Sequence, residues 1–203
     1  MILFLSLILS ALSAFAGVGD VVVDGGLNYK IISLPNDETH GTVEVGNNSS
    51  YAGPVSIPAS ITLSGTDSNA GTYDVVAIGV RAFYVGSYNT KVTSLDLSYA
   101  TNLTTIGEQA FSNCVNFTGS LTIPPSVTTI ETNAFLYCTG FTGSLIIGAS
   151  VTSIGTGAFL GSKFTGSLTI GASVTTIKYA AFALCSGFTG SLTIPSSVTT
   201  IEP

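Results

Sequence analysis

The chain has 203 residues, enough for one domain or one domain with a small appendage. Charged residues make up 8% of it and hydrophobic residues 45%, with 5 Lys+Arg against 11 Asp+Glu. That balance excludes a disordered chain, a basic nucleic-acid binder and a Glu/Lys-rich coiled coil, and the surplus of Thr, Ser, Val, Ile and Gly reads as β-rich.

The first element, residues 1–16, reads as a signal peptide. An apolar run over residues 2–9 is followed by Ala14-Phe15-Ala16, a small-x-small cleavage signal, and then by Gly17. The segment is shorter than the roughly 20 residues that span a bilayer, and no later stretch is apolar enough to do so. The mature chain is therefore expected to be extracellular or on the cell surface, with no membrane span. Acidic residues gather early: Asp20, Asp24, Asp37, Glu38, Glu44, Asp67 and Asp74 face Lys30 alone. His40, the one imidazole, sits in a polar turn and reads as a solvated loop residue.

From about residue 54 the sequence repeats. Gly119-Ser120-Leu121-Thr122-Ile123 returns at Gly143, Gly166 and Gly190, with the leucines Leu121, Leu145, Leu168 and Leu192 spaced 24, 23 and 24 apart. Val127-Thr128-Thr129-Ile130 keeps step, with copies ending at Ile154, Ile177 and Ile201. Ala-Phe does the same at Phe111, Phe135, Phe159 and Phe182. Looser copies begin at Leu95 and at Val55, the latter split by a Gly/Ser/Asn/Asp-rich insertion over residues 63–73 and resuming at Ile78 and Phe83. About six rungs result, the last incomplete.

In each copy Leu and Ile alternate with Ser and Thr, so one side of a short strand is apolar and the other hydroxylic. Such a strand cannot stand alone, but stacked rungs share parallel hydrogen bonds and a continuous apolar column. Pro58, Pro124 and Pro195 end the pairing, because proline lacks the backbone donor. Phe83, Phe111, Phe135, Phe159 and Phe182 are expected to stack as a structural spine. Cys114, Cys138 and Cys185 occupy one repeat position, with Ser162 at the missing step. They read as a buried thiol ladder; a disulfide between neighbouring rungs or a metal site is the competing reading.

The pattern L-x-I-P-x-x-V-x-x-I-x-x-x-A-F-x-x-C, which residues 121–138 fit position by position, resembles the BspA-type, or Treponema pallidum-type, leucine-rich repeat. The resemblance implies a β-rich solenoid: a right-handed coil with a β-hairpin N-terminal cap, short parallel strands and short helical or 3-10 turns. It places the cap at residues 17–53 and the repeats at residues 54–203. Relatives of this type are secreted or surface proteins used in adhesion, which implies an extracellular protein or glycan as the partner.

The candidate binding face is the hydroxyl lattice Ser120, Thr122, Ser144, Ser167, Thr169, Ser191 and Thr193. A second lattice runs through Thr128/Thr129, Thr152/Ser153, Thr175/Thr176 and Thr199/Thr200. Three readings compete: a recognition module; a structural spacer that stacks end to end at its uncapped C-terminus; and ice binding through the hydroxyl arrays. Catalysis finds no aligned nucleophile and base, so no enzyme and no cofactor are expected. Asn47, Asn48, Asn102 and Asn116 begin N-x-Ser/Thr triplets, which chance alone supplies in so polar a chain.

Overall fold

The computed structural model describes residues 17–35, 40–64 and 70–203. The expected signal peptide and the middle of the 63–73 insertion lie outside the described residues. Fifteen strands occur among them and no helix. In particular, none of the described residues forms a helix able to cross a membrane.

The chain opens with a hairpin, β1 (Val21–Asp24) and β2 (Leu27–Ser33), paired antiparallel. Gly25 and Gly26 make the turn, both with positive φ (55° and 83°). A two-residue turn that matches the strands' twist needs that conformation at both central positions, and glycine adopts it without a Cβ clash. β3 (Gly41–Val45) continues antiparallel to β2. Its other side pairs parallel with β6 (Gly71–Ile78). From there one parallel ladder runs through β8 (Thr105–Ile106), β10 (Thr129–Ile130), β12 (Ser153–Ile154), β14 (Thr176–Ile177) and β15 (Thr200–Ile201). The partners Val45, Ile78, Ile106, Ile130, Ile154, Ile177 and Ile201 form one file across it. All are buried except Ile201 at the open end. β-branched side chains suit this half-buried pleat, and each rung covers the apolar face of the next.

The opposite wall is shorter and broken. β4 (Gly53–Ser56) pairs with β7 (Val92–Asp96), and β9 (Leu121–Thr122) with β11 (Leu145–Ile146), which pairs with β13 (Leu168–Thr169). β7 and β9 do not pair with each other. The insertion after Val55 is less loop-like than its composition suggests. β5 (Ser60–Leu63) pairs antiparallel with β6, so Leu63 lies opposite Gly71 and Ile61 opposite Tyr73. Ile61, Tyr73 and Val75 are buried there, and that apolar face holds both ends of the insertion in the sheet.

The expected helical or 3-10 turns are absent from the described residues. Each rung instead makes successive single turns, as in Ala110 N–H to Gly107 C=O, Ser112 N–H to Gln109 C=O and Cys114 N–H to Phe111 C=O. Between them stand residues with left-handed φ: Gln109 (54°) and Asn113 (61°), then Asn133 (57°) and Tyr137 (52°), then Ala180 (54°) and Leu184 (58°). A reversal of φ every fourth residue stops any helix from propagating.

Between the walls Phe83, Phe111, Phe135, Phe159 and Phe182 stack near-parallel, with centroid separations of 5.1, 5.2, 5.2 and 5.5 Å. A second file runs beside it. Phe117, Phe141, Phe164 and Phe188 lie 5.3, 4.9 and 5.7 Å apart. Edge contacts from Phe111 to Phe117 and from Phe159 to Phe164 tie the two files together.

Candidate ligand-binding face

About half of the hydroxyls that the sequence places in regular lattices stitch rung to rung. Thr128 Oγ1 donates to the Thr104 carbonyl, and Thr152, Thr175 and Thr199 repeat the bond one rung on, at 3.1–3.3 Å. Ser120 Oγ accepts the Ser144 N–H, and Ser144 Oγ accepts the Ser167 N–H, both at 3.0 Å. A third file, Thr165 to the Thr142 carbonyl and Thr189 to the Thr165 carbonyl, does the same. The serine file and the Thr165–Thr189 file pair backbone groups that a two-residue strand leaves over, and the Thr128 file adds a second donor to carbonyls that already accept a backbone N–H.

The cysteine position likewise brings a second donor to a carbonyl that already accepts a backbone N–H. Cys138 Sγ donates to the Phe111 carbonyl at 3.1 Å, and Cys185 Sγ to the Phe159 carbonyl at 3.0 Å. Ser162 Oγ takes the slot at the missing step and donates to the Phe135 carbonyl at 2.9 Å. One rung earlier, the Phe83 carbonyl receives Asn89 Nδ2 at 2.7 Å. All three thiols are free, so no disulfide joins the rungs. Burial pushes the Cys114 and Cys138 thiols well up, and the Cys185 thiol up to about 11. At neutral pH they are protonated donors, not nucleophiles. No cluster of metal-ligating side chains occurs among the described residues.

What stays open on the strand face is a row of outward side chains: Ser56 and Asp96 on β4 and β7, Thr122 on β9, Ile146 on β11 and Thr169 on β13. Ser191 and Thr193 are exposed but belong to no strand, so β13 has no partner beyond it. Ser120 and Ser167 are exposed, and Ser144 is half-buried.

The row is interrupted between β7 and β9. There Leu95, Asp96, Leu97, Ser120, Leu121 and Thr122 line a cleft of about 450 Å³. In the intact wall Leu121 N–H donates to Ser144 C=O, Ile123 N–H to Ile146 C=O and Gly143 N–H to Gly119 C=O, at 2.8–2.9 Å. One rung earlier the N–H groups of Leu97 and Gly119, which match Ile123 and Gly143, and of Ser120, which matches Ser144, have no hydrogen-bond partner among the described residues. The seam is closed at both ends, by Asn116 Nδ2 on the Thr90 carbonyl (2.9 Å) and by Ser126 Oγ on the Ala100 carbonyl (3.3 Å). Asp96 stands at its edge. Its carboxylate accepts the Ser98 N–H at 2.8 Å, which holds its pKa below the usual carboxylate value. A smaller pocket of about 210 Å³ adjoins β4, lined by Asp24, Tyr29, Ser56 and Tyr99 among others.

Other residues that the sequence singles out lie elsewhere. His40 is not a free loop residue: its Nδ1 lies 3.0 Å from Asp74, which also accepts from Asn102 Nδ2 at 3.0 Å. Asn48 is buried, and its side chain bonds the Asn28 N–H and the Asn28 and Gly46 carbonyls, so it cannot carry a glycan in the fold. Asn47 and Asn116 are exposed. The second phenylalanine file and the seam were not read from the sequence. The first was visible as Phe-Thr-Gly before each Ser-Leu, and the second as a Leu95-to-Leu121 step longer than the others.

Residues 76–203 match the model of the BspA type leucine-rich repeat region, in six copies. Among solved structures, the chain is similar to a leucine-rich cell surface protein from Faecalibacterium prausnitzii A2-165. The identity is 25% and the TM-score 0.54, over 90% of this chain and 50% of that one. A leucine-rich repeat protein from Bacteroides ovatus ATCC 8483 shares the fold at 21% identity, TM-score 0.53, over 90% of this chain and 55% of that one. The chain thus spans about half the length of these two proteins. Comparison with curated proteins gives no match. With its rung-to-rung pairing, phenylalanine files and six matched copies, the chain belongs to the BspA-type leucine-rich repeat family.

Proposed function

We propose that the chain is a recognition module of the cell surface, binding an extracellular protein or glycan through its strand face. The observation that carries this reading is the contrast on that face. On it Ser120, Ser144 and Ser167 bond to one another across the rungs, whereas Thr122 and Thr169 are exposed and the seam between β7 and β9 keeps backbone donors and the Asp96 carboxylate available. The likeness to a leucine-rich cell surface protein supports the location. Each exposed rung adds a shallow contact, and the contacts sum along the array.

The test is binding of the purified chain to a panel of extracellular matrix proteins and glycans. Binding is expected, and Thr122→Tyr, which crowds the face without touching the spine, is expected to reduce it. No binding across the panel by chain that melts cooperatively overturns the reading.

A second reading, a spacer or self-stacking segment, has its own observation. Leu192, Ile194 and Ile201 are 58%, 42% and 60% exposed, an apolar surface suited to a further rung or a second copy. Light scattering decides it: a strictly monomeric species at high concentration removes self-stacking. Ice binding draws little support, because Thr128, Thr152, Thr175 and Thr199 direct their hydroxyl hydrogens at carbonyls rather than at solvent.

A further inference from the structure

The smaller pocket, beside β4, differs from the rest of the strand face in what its polar groups do. Three stretches of chain meet there: the β1–β2 hairpin with Asp24, Leu27 and Tyr29, β4 and its exit with Ser56 and Pro58, and the loop after β7 with Tyr99. The glycine turn of the hairpin sets Asp24 opposite Leu27 at its tip. Side chains alternate along β2, so Leu27, Tyr29 and Ile31 turn inward together. Tyr99 belongs to the longer Leu95-to-Ile106 step, and the matching stretches of the next three rungs, 121–130, 145–154 and 168–177, carry no aromatic residue.

Tyr29 sets the chemistry of the pocket. It is 1% exposed, yet its hydroxyl has no hydrogen-bond partner among the described residues. The Tyr51 hydroxyl shows the usual arrangement, donating to the Pro54 carbonyl at 2.7 Å. Buried polar groups are paired as a rule, so the Tyr29 hydroxyl is left for a partner from outside the fold, and the pocket that it lines is where such a partner would sit. Burial, and then the charge of Asp24, raise its pKa, so the phenol is a protonated donor at neutral pH. The Asp24 carboxylate, Ser56 Oγ and the Tyr99 hydroxyl also lack hydrogen bonds among the described residues, and all three residues are exposed. A buried donor, a carboxylate, a hydroxyl and an open aromatic ring thus surround about 210 Å³ over Leu27 and Pro58.

That set selects its ligand. The ligand must accept from Tyr29 and donate to Asp24. An ammonium group has donors only, and an ionised carboxylate or phosphate has acceptors only and meets the Asp24 charge. A peptide group offers one N–H and one C=O pointing apart, with no apolar face to lay on Tyr99. A vicinal pair of hydroxyls donates to both Asp24 oxygens and still accepts from Tyr29 and Ser56. A pyranose carries such pairs on its edge and a C–H face that packs on an aromatic ring. The volume is below that of sites for drug-sized ligands and is room for one such ring. We propose that this pocket holds one neutral sugar ring, the terminal residue of an extracellular glycan, with its hydroxyls on Asp24, Tyr29 and Ser56 and its C–H face on Tyr99. This rests on the recognition reading above and narrows its partner to a glycan.

The test is an NMR titration of the whole isotope-labelled chain with the methyl glycosides of glucose, galactose, mannose, fucose and N-acetylglucosamine. At least one is expected to bind with a millimolar Kd, shifting the amides of Asp24, Gly25, Ser56 and Tyr99. Tyr29→Phe removes the hydroxyl alone. It should weaken that glycoside about tenfold and leave Tm unchanged, because no group of the fold uses the hydroxyl. Tyr99→Ala and Ser56→Ala, both at exposed positions, should each weaken it several-fold and probe the site without touching the buried ring. The inference is overturned by any of four results: no shift from any glycoside; shifts confined to other amides; a Tyr29→Phe chain that binds unchanged or melts lower; or ethylammonium or N-methylacetamide shifting these amides more strongly than every glycoside. The recognition reading fails separately. A matrix protein or glycan that binds the Tyr29→Phe and Tyr99→Ala chains as well as the original removes the pocket but leaves the module, whereas an empty panel removes the module itself.

Discussion

The two walls of this molecule are built from the same repeats and behave differently. On one, Ile78, Ile106, Ile130, Ile154, Ile177 and Ile201 pair without a break from the N-terminal hairpin to the last rung. On the other, the ladder runs from β4 to β7, stops, and resumes from β9 to β13. The Ile-to-Ile step between the second and third rungs is 24 residues, as in the next pair, but the Leu-to-Leu step is 26. Two extra residues on one side of a rung leave the phenylalanine and cysteine positions in step and open only the strand that precedes them. A coil of two-residue strands has little pairing per rung to resist such a shift, so its register depends on the interior columns. The comparison holds only if those columns, rather than the strands, carry the stability.

Phe135→Ala tests that directly and has the largest expected effect. The ring lies between Phe111 and Phe159, fully buried, at 5.2 Å from each. Its loss should lower the unfolding free energy by about 3–5 kcal/mol in a urea titration. A loss under about 1 kcal/mol would shift the weight to the strands and undo the comparison.

Next comes the cysteine slot. Cys138→Ala leaves the Phe111 carbonyl with the Cys114 N–H as its one donor, and the lost second bond with the small cavity should cost about 1–2 kcal/mol. Cys138→Ser keeps the donor, as Ser162 does at the equivalent position, and should cost less than the alanine variant. Equal losses in the two would make the slot a matter of volume, the view that the sequence suggests when it treats the thiols as small fillers.

That contrast shows how far the sequence reaches. Position and spacing were readable, because a 24-residue period repeats in Leu, Ile, Phe and Cys alike. The direction of a hydroxyl or thiol hydrogen was not, since Ser162 looks like a gap in a cysteine ladder until the carbonyl of Phe135 is seen above it. The Ser and Thr lattices read as a surface for the same reason, although Thr128, Thr152, Thr175 and Thr199 donate to carbonyls of the preceding rung and Ser120 and Ser144 accept an N–H from the following one. The seam was hidden because the longer step at Leu95 resembles ordinary drift in a degenerate copy. Its consequence depends on which backbone groups then lack partners.

Closing the seam sharpens the difference between the walls. Deleting Ser98 and Tyr99, both exposed, makes the Leu95-to-Ile106 segment equal in length to Leu121-to-Ile130. β7 should then pair with β9, and the amides of Leu97 and Gly119 should exchange more slowly. Each restored backbone bond contributes about 0.5–1.5 kcal/mol, a net gain of about 1 kcal/mol once the ordering of the shortened loop is included. Unchanged exchange at both amides would mean that something other than loop length holds the strands apart.

The smallest effect concerns the turns that join the walls. Leu184 is exposed and has φ 58°, at the position where Asn113 (61°), Tyr137 (52°) and Gly161 (72°) stand in earlier rungs. A leucine in the left-handed region clashes with its own backbone at about 1 kcal/mol or more, and glycine does not. Leu184→Gly gives back part of that gain as backbone entropy, leaving a stabilisation of about 0.5 kcal/mol, read as a rise of one or two degrees in Tm. Gly161→Ala is the mirror experiment. It places a Cβ at φ 72° against the ring of Tyr137, so it should destabilise. Opposite signs at two equivalent positions, one rung apart, are what a turn with left-handed φ at this position requires, with the Tyr137 ring adding to the loss at Gly161. The same sign at both would return the turns to the side chains.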